Sequence, residues 1–165
     1  MTLSSITKTD FQHAIEKFIY YDPCRWEYYN LALELVGNPV SVVELGPHQL
    51  PLFPDGDTID SNTRLGPTYC HDASMIPWPI QRHYDLFIGL QVWEHLGESQ
   101  VEAFFVVMRI ADRAVLSFPY KWNCPGNKHH GIDDEIIDRW SHGLRPSNII
   151  KTTHRPIRII YYWEF

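Results

Sequence analysis

The stretch "SVVELGPHQLPLF", residues 41–53, has the residue types of a loop that holds a nucleotide-like ligand. An apolar strand ends there in a carboxylate, Glu44, and a glycine, Gly46, which is how nucleotide-binding loops begin in α/β proteins. A glycine lets the backbone pass close to a ligand without a Cβ clash. Two or three glycines are usual in such a loop, so the stretch is either a cofactor loop that has lost glycines or an ordinary strand end.

Three histidines lie at positions suited to proton transfer. His95 follows an apolar run that predicts a strand, and His129 and His130 lie in "NKHHGIDDE", a glycine-flanked loop after the next predicted strand. Loops at the carboxyl ends of parallel strands meet at one edge of a sheet, where ligands bind. Imidazole has a suitable pKa for a general base, and His130 is the preferred candidate. The alternatives are a capping or packing role for His95 and solvated loop positions for the other two.

The elements that must position these residues follow from apolar periodicity. Two amphipathic helices are predicted first, over residues 10–20 and 24–36. The first begins at a cap of Thr9 or Asp10, and the second ends where Gly37 can take the left-handed conformation. One face of the first helix carries apolar side chains: Phe11, Ile15, Phe18 and Ile19.

Strands then recur along the chain. They are predicted over residues 40–45, 58–61, 68–71, 84–90 and 114–118, and the last two are apolar on both faces, as in central strands. Helices are predicted over residues 98–112 and 133–141, and residues 148–155 and 157–165 flank Pro156 as an antiparallel hairpin. This alternation predicts an α/β fold with a mostly parallel, Rossmann-like sheet of about seven strands.

Two crossover helices are missing from this pattern. Pro47, Pro51 and Pro54 forbid more than a turn of helix between the first two strands, and residues 61–67 are too few for one. We therefore expect exposed apolar side chains on part of one face: Leu50, Leu52, Phe53, Ile76 and Trp78. Such patches usually mark interfaces, which predicts a two-fold homodimer. The competing outcome is that the N-terminal helices cover the patch.

Composition narrows the class of protein. The 165 residues, 44% of them hydrophobic, predict a single globular domain, with N-terminal helices in residues 1–37 and a core over 40–165. The apolar runs are too short to span a bilayer and the start lacks a signal-peptide pattern, so a cytoplasmic location without membrane contact is expected. A net charge of −6 argues against a nucleic-acid partner. Cys24, Cys70 and Cys124 are widely spaced and expected to be reduced thiols.

Five segments follow one another in an informative order: "VVELGP", "TIDS", "CHDASMIPW", "YDLFIGLQVWEHL" and "VLSFPYKW". In this order they resemble the motifs of the class I S-adenosylmethionine-dependent methyltransferases, and the resemblance covers residues 40–165. It implies a seven-stranded sheet whose last strand is antiparallel, and S-adenosyl-L-methionine as the cofactor. It also implies an enzyme that moves a methyl group to an oxygen or nitrogen of a small molecule.

The resemblance assigns roles to individual residues. Asp60 is expected to accept hydrogen bonds from both ribose hydroxyls, and Asp72 to accept one from the adenine amino group beside Ala73. The alternative is that both aspartates end strands in ordinary turns. The full set that the resemblance implies at the cofactor is Glu44, Gly46, Pro47, His48, Asp60, Ser61, Asp72, Ala73, Leu90 and Gln91.

Departures from the family pattern keep other functions open. His48 stands at the second glycine position, and the loop is similar to that of a minority of methyltransferases in which a proline-rich turn replaces the first helix. Loss of these features also fits a non-catalytic subunit with a degenerate methyltransferase fold. Glu94 and His95 with a later histidine partly match the E-x-x-E-H pattern of metal-dependent O-methyltransferases. Since Gln91 replaces its first glutamate, we expect no metal.

Aromatic side chains near these loops have two interpretations. They are candidates for the wall of an acceptor pocket or for cation–π attraction of the sulfonium, and core packing is the alternative. The candidates are Trp78, Trp93, Tyr120 and Trp122. For Tyr20, Tyr21 and Trp26 we expect core or interface positions rather than a cover over the cofactor.

Overall fold

The computed structural model describes residues 2–18 and 20–165 and contains one seven-stranded sheet. The strands are β1 (Val42–Leu45), β2 (Asp57–Asp60), β3 (Tyr69–Cys70), β4 (Tyr84–Leu90), β5 (Ala111–Pro119), β6 (Asn148–Lys151) and β7 (Arg158–Glu164). They lie in the order β3-β2-β1-β4-β5-β7-β6. Strand β7 is antiparallel to both neighbours, and the other pairs are parallel. The predicted sheet with its antiparallel C-terminal hairpin is confirmed.

The helices are α1 (Lys8–Lys17), α2 (Arg25–Val36), α3 (Gln100–Ile110) and α4 (Asp134–Trp140). Single 3₁₀ turns lie at Thr63–Leu65, Trp93–His95 and Gly97–Ser99. The turn at Gly97–Ser99 explains why α3 begins later than predicted. In the part of the chain that the structure describes, no helix combines the length and apolarity needed to cross a membrane. The cytoplasmic location stays a prediction.

Helix α1 begins before its predicted cap. The N-cap is Thr7, whose hydroxyl accepts the Asp10 N–H at 3.2 Å while the Asp10 carboxylate accepts the Thr7 N–H at 2.7 Å. This reciprocal capping box satisfies two amide groups that a helix start otherwise leaves free. The helix ends at Lys17, so its predicted extension to Tyr20 is wrong. The predicted apolar position Ile19 lies outside the described residues.

Helix α2 matches its prediction to within one residue. Pro23 precedes it, and Gly37 follows it with φ of +62°. The positive φ confirms why glycine is needed there, although a ψ of −132° lies outside the left-handed helical region that was predicted.

The two faces of the sheet are covered by different helices. Leu86 and Ile88 of β4 pack with α1, α2 and Leu52, whereas the intervening Phe87 packs with α3 and α4 through side chains such as Phe104. Successive side chains of a strand point to opposite faces. Strands β4 and β5 are therefore buried on both sides, as their apolar sequences predict.

The predicted exposed apolar patch is wrong for three of its five side chains. Leu52 and Phe53 are at most 1% exposed and Trp78 is 5% exposed, while Leu50 is half-buried and Ile76 is exposed. Residues 46–56, all of them described, form bends and turns without a helix, and α1 and α2 supply the missing cover. Burial of each large side chain contributes about 1.5–3 kcal/mol. The homodimer therefore stays a prediction without this support.

Candidate functional site

A cavity of about 360 Å³ opens at the carboxyl ends of β1, β2 and β4. Ligand sites of α/β sheets lie at this edge, where the strand order reverses between β1 and β4. The volume is within the range of small-ligand sites. Six of the residues predicted to bind a cofactor line it: Gly46, Asp60, Ser61, Asp72, Ala73 and Gln91. We call this space the cofactor cavity.

The single glycine of the β1 loop is required by its surroundings. Gly46 has a φ of +60°, and a Cβ added to it would lie 2.8 Å from Val92 Cγ2. Its N–H donates to Ile59 O at 2.8 Å, which ties the end of β1 to the end of β2. The end of β1 is therefore a tight turn that only glycine fits without displacing Val92.

The second glycine position keeps its backbone shape without glycine. His48 has a φ of +58°, in the left-handed region that L-residues rarely adopt. Its ring stacks on Tyr20 with centroids 4.3 Å apart. His48 and Pro47 line a neighbouring cleft rather than the cofactor cavity. These two predicted cofactor residues therefore belong to the loop after β1 but do not line the cofactor cavity.

Two further predicted residues do not line the cavity. Leu90 is 8% exposed and packs in the core, and Glu44 is 3% exposed. Burial raises the pKa of Glu44 to about 8, although a 2.7 Å hydrogen bond from Leu52 N–H opposes this shift. Glu44 thus holds the Leu52 backbone against the end of β1, and its role is to support the loop.

Asp60 is placed at the end of β2 with one oxygen engaged. Its Oδ1 accepts the Asn62 N–H at 2.8 Å, and the half-buried side chain lines the cofactor cavity. Ser61 follows it on the same rim. A carboxylate in this position has acceptor capacity left for a ligand's hydroxyl groups.

The segment after β3 is held by its own hydrogen bonds. Asp72 Oδ1 accepts the Ser74 N–H at 2.9 Å and its hydroxyl at 2.8 Å, and these bonds lower the pKa of Asp72. Trp78 donates its indole N–H to Ala73 O at 2.9 Å. The rim contributed by Asp72 and Ala73 is therefore preformed.

A cluster of two histidines and a glutamate borders the cofactor cavity. His129 Nδ1 lies 3.1 Å from Glu94 Oε1, and the rings of His95 and His129 are 5.0 Å apart between centroids. The Glu94 side chain is fully buried. Within the described residues, neither of its oxygens nor His129 Nδ1 has a hydrogen bond of acceptable geometry. Ligating atoms of the three residues all lie within 4.8 Å of one another.

His95 is the histidine of this cluster that lines the cofactor cavity. Burial lowers the pKa of His95, the charge of Glu94 raises it, and His129 and Lys128 lower it further. The net direction is downward, so the imidazole is neutral at pH 7 and able to accept a proton.

His130, the base preferred from the sequence, lies elsewhere. Its Nδ1 accepts the Cys124 N–H at 3.1 Å, and its exposed ring does not line the cofactor cavity. The structure thus brings His95 and His129 together and leaves His130 as a loop residue.

No protein-family model matches the chain, and no curated protein matches its sequence. Solved structures match its fold. The N-methyltransferase NodS from Bradyrhizobium japonicum WM9, in complex with S-adenosyl-L-homocysteine, matches with a TM-score of 0.69 at 13% identity, over 93% of this chain and 97% of NodS. A methyltransferase from Clostridium acetobutylicum ATCC 824 matches with a TM-score of 0.64 at 12% identity, over 95% and 98%. Magnesium protoporphyrin IX methyltransferase (ChlM) from Synechocystis PCC 6803 matches with a TM-score of 0.59 at 18% identity, over 94% of each chain.

The chain has the class I methyltransferase fold. Within this fold, several cavity residues were missed by sequence reasoning. Tyr20 lines the cofactor cavity and is 41% exposed, although a core or interface position was expected. Neighbouring Tyr21 is buried, as expected, and donates to Pro47 O at 3.3 Å. Adjacent tyrosines carry no signal in the sequence that tells which of them faces a ligand.

The four aromatic candidates for a pocket wall also divide into buried and accessible side chains. Trp78 and Trp93 are at most 5% exposed and belong to the core of the methyltransferase fold. Tyr120 and Trp122 are half-buried and line a separate cleft beyond β5. Only the second pair has side chains that are open to a ligand.

Proposed function

We propose that this chain is an S-adenosylmethionine-dependent methyltransferase that acts on an oxygen or nitrogen of a small molecule. The observation that carries the proposal is the position of Gly46 and Asp60 at the carboxyl ends of β1 and β2. Both residues line one cavity, which lies where the strand order of the sheet reverses. S-Adenosyl-L-homocysteine and S-adenosyl-L-methionine are bound in solved structures of the same fold.

The residues around the cavity fit the groups of this cofactor. Asp60 can accept hydrogen bonds from two ribose hydroxyls, and the preformed rim of Asp72 and Ala73 suits a purine edge. Gly46 and Gln91 leave space at the ends of β1 and β4 for the amino-acid portion. When bound, S-adenosylmethionine supplies an electrophilic methyl group on a sulfonium.

His95 is the proposed general base. It lines the cofactor cavity, where its imidazole can take a proton from an acceptor oxygen or a protonated nitrogen, whereas the Nε2 of His71, the other lining histidine, lies 2.7 Å from Met75 O. His129, held near Glu94, packs against His95 and orients it. Holding the acceptor close to the methyl carbon supplies much of the remaining rate, up to about 7–11 kcal/mol.

Calorimetry with S-adenosyl-L-homocysteine tests the proposal. Micromolar binding, followed by cofactor turnover in a screen of small-molecule acceptors, is the expected result. No binding at millimolar ligand would favour the alternative, a non-catalytic subunit with this fold. Binding without turnover for any acceptor, neutral or anionic, would favour a cofactor-sensing subunit.

A metal-assisted O-methyltransferase is a second candidate, favoured by the buried Glu94 carboxylate whose oxygens lack hydrogen bonds in the described part of the chain. Glu94, His95 and His129 offer three ligands and leave open positions for an acceptor oxygen. Cobalt(II) absorption spectroscopy separates the two candidates. Visible bands that His129→Ala removes and His130→Ala retains would assign the metal, and His95 would then be a ligand rather than the base.

A further inference from the structure

A second cleft, of about 790 Å³, lies at the carboxyl end of β5 and is completed by residues of the segment from β6 to β7. Tyr120 and Trp122 form part of its wall, and three cations line it: Lys121, Lys151 and Arg155. Among the described residues, no aspartate or glutamate lines this space. We call it the basic cleft, since it departs locally from a chain whose net charge is −6.

Two of its cations converge on one ring. Lys151 Nζ lies 4.1 Å and Lys121 Nζ 5.1 Å from the centroid of Tyr120. In residues 2–18 and 20–165, no carboxylate lies within 4.0 Å of these ammonium groups or of Arg155. The nearest charged group of opposite sign that is described, the Asp134 carboxylate, is engaged by two tyrosine hydroxyls: it accepts that of Tyr120 at 2.6 Å and that of Tyr161 at 2.8 Å. Cations that share one ring and have no carboxylate within ion-pair distance leave a positive potential that favours an anion.

A buried cation lies behind the same wall. Arg158 is 8% exposed, and its guanidinium carbon lies 5.4 Å from the Trp122 ring centroid and 4.8 Å from that of Tyr28. Its Nε has no hydrogen bond, and no described carboxylate lies within 4.0 Å of the guanidinium. A buried charge that contacts aromatic rings but no carboxylate is incompletely compensated. Its positive potential adds to that of the basic cleft and favours an anion there.

Two ring contacts join the basic cleft to the cofactor cavity. Trp122 stacks on His129 with centroids 5.5 Å apart and an interplanar angle of 23°. His129 meets His95 at 5.0 Å, and His95 lines the cofactor cavity. The basic cleft and the ring of the proposed base are therefore only two ring contacts apart.

We infer that the methyl acceptor is an anion, a small molecule whose phosphate or carboxylate binds Lys121, Lys151 and Arg155 in the basic cleft. Its body passes Trp122, and its nucleophilic oxygen or nitrogen reaches His95. The role of the ligand as acceptor rests on the proposed function, whereas anion binding in the basic cleft does not. Charge-assisted hydrogen bonds from three cations favour phosphate over a neutral group of the same shape.

The test uses phenyl phosphate as the probe, with benzoate as the carboxylate arm and phenol as the neutral control. The Trp122 indole N–H donates to Ile157 O and reports on the cleft wall. Its signal in a ¹⁵N–¹H NMR spectrum is identified by its loss in Trp122→Phe. Titrations are run on the wild type, on Lys121→Gln/Lys151→Gln, and on Lys8→Gln/Lys17→Gln, an equal charge change on exposed positions of α1.

Phenyl phosphate is expected to shift the Trp122 signal with saturation, and phenol is not. The Lys121→Gln/Lys151→Gln variant should bind the probe at least about tenfold more weakly, which is 1.4 kcal/mol, and the α1 variant should bind as wild type does. Benzoate binding as tightly as phenyl phosphate would assign the site to carboxylates. A shift with phenol, or equal affinity in the two double variants, would overturn the inference. Binding of S-adenosyl-L-homocysteine is measured separately. If the wild type does not bind it, the proposed function is rejected, whereas anion binding in the basic cleft is judged by the titrations alone.

Discussion

His129 Nδ1 lies 3.1 Å from Glu94 Oε1, and this pair connects the buried core to the edge of the cofactor cavity. The glutamate is fully buried, and the histidine contacts the ring of His95. The ring of His129 therefore connects the buried carboxylate to the proposed base by contact.

Replacing His95 with alanine is expected to lower kcat by about 10²–10⁴-fold, the usual contribution of a positioned general base. The affinity for S-adenosyl-L-homocysteine should change little, because Asp60 and Gly46 remain in place. Single-turnover kinetics and calorimetry give the two quantities. His130→Ala is the matched control, since it removes an imidazole that does not line the cavity. If His130→Ala lost kcat instead, the base would be the residue that the sequence favoured.

Asp60→Ala is expected to weaken S-adenosyl-L-homocysteine binding strongly. It removes a charged acceptor for two hydroxyls, and a hydrogen bond to a charged group contributes roughly 1.5–3 kcal/mol. Asp55→Ala is the control, an exposed aspartate in the loop before β2 that does not line the cavity. Calorimetry of both folded variants decides the matter. Equal affinity in the two would mean that the ribose is held elsewhere.

Gly46→Ala is expected to destabilise the fold more than Gly66→Ala does. Both glycines have φ near +60°, but a Cβ meets nothing within 4 Å at Gly66 and lies 2.8 Å from Val92 Cγ2 at Gly46. The left-handed conformation alone costs an L-residue roughly 1–2 kcal/mol, which both variants share. Urea unfolding measures the excess. Adding Val92→Ala to Gly46→Ala should recover part of the extra stability that Gly46→Ala loses. If no stability is recovered, the cause is not the steric contact.

Some of this structure could be predicted because it depends on nearby residues. Strand β4 was predicted residue for residue, since its apolar run is bounded by His83 and Gln91. Gly46 was singled out because it follows a predicted strand, and Asp60 because the order of motifs resembles that of the methyltransferases; both line the cofactor cavity. Local signals failed at the start of α1. Thr7 was passed over as a cap because Thr9 and Asp10, equally good caps by type, stand closer to the apolar face.

Other features depend on contacts that sequence spacing does not encode. Glu94 and His129 are far apart in sequence, and nothing in "NKHHG" tells which histidine turns toward the glutamate. The burial of Leu52 and Phe53 under α1 and α2 is likewise a tertiary contact. The absence of the two crossover helices was inferred correctly from the prolines and from the shortness of residues 61–67, whereas cover by the N-terminal helices was only the competing outcome.

Glu44 gives the last prediction, a stability that falls as the pH rises. Burial raises the pKa of Glu44 from 4.5 to about 8 in the folded protein. Between these values the folded state binds a proton that the unfolded chain has released, so the free energy of unfolding falls with pH by about 1.4 kcal/mol per pH unit. Glu44→Gln removes this loss and can still accept the Leu52 N–H. In urea unfolding from pH 5 to 9, the free energy of unfolding of Glu44→Gln should therefore increase relative to that of the wild type as the pH rises. Glu16→Gln, an exposed position on α1, should follow the wild type, and parallel curves for all three would show that Glu44 is ionised in the fold at neutral pH.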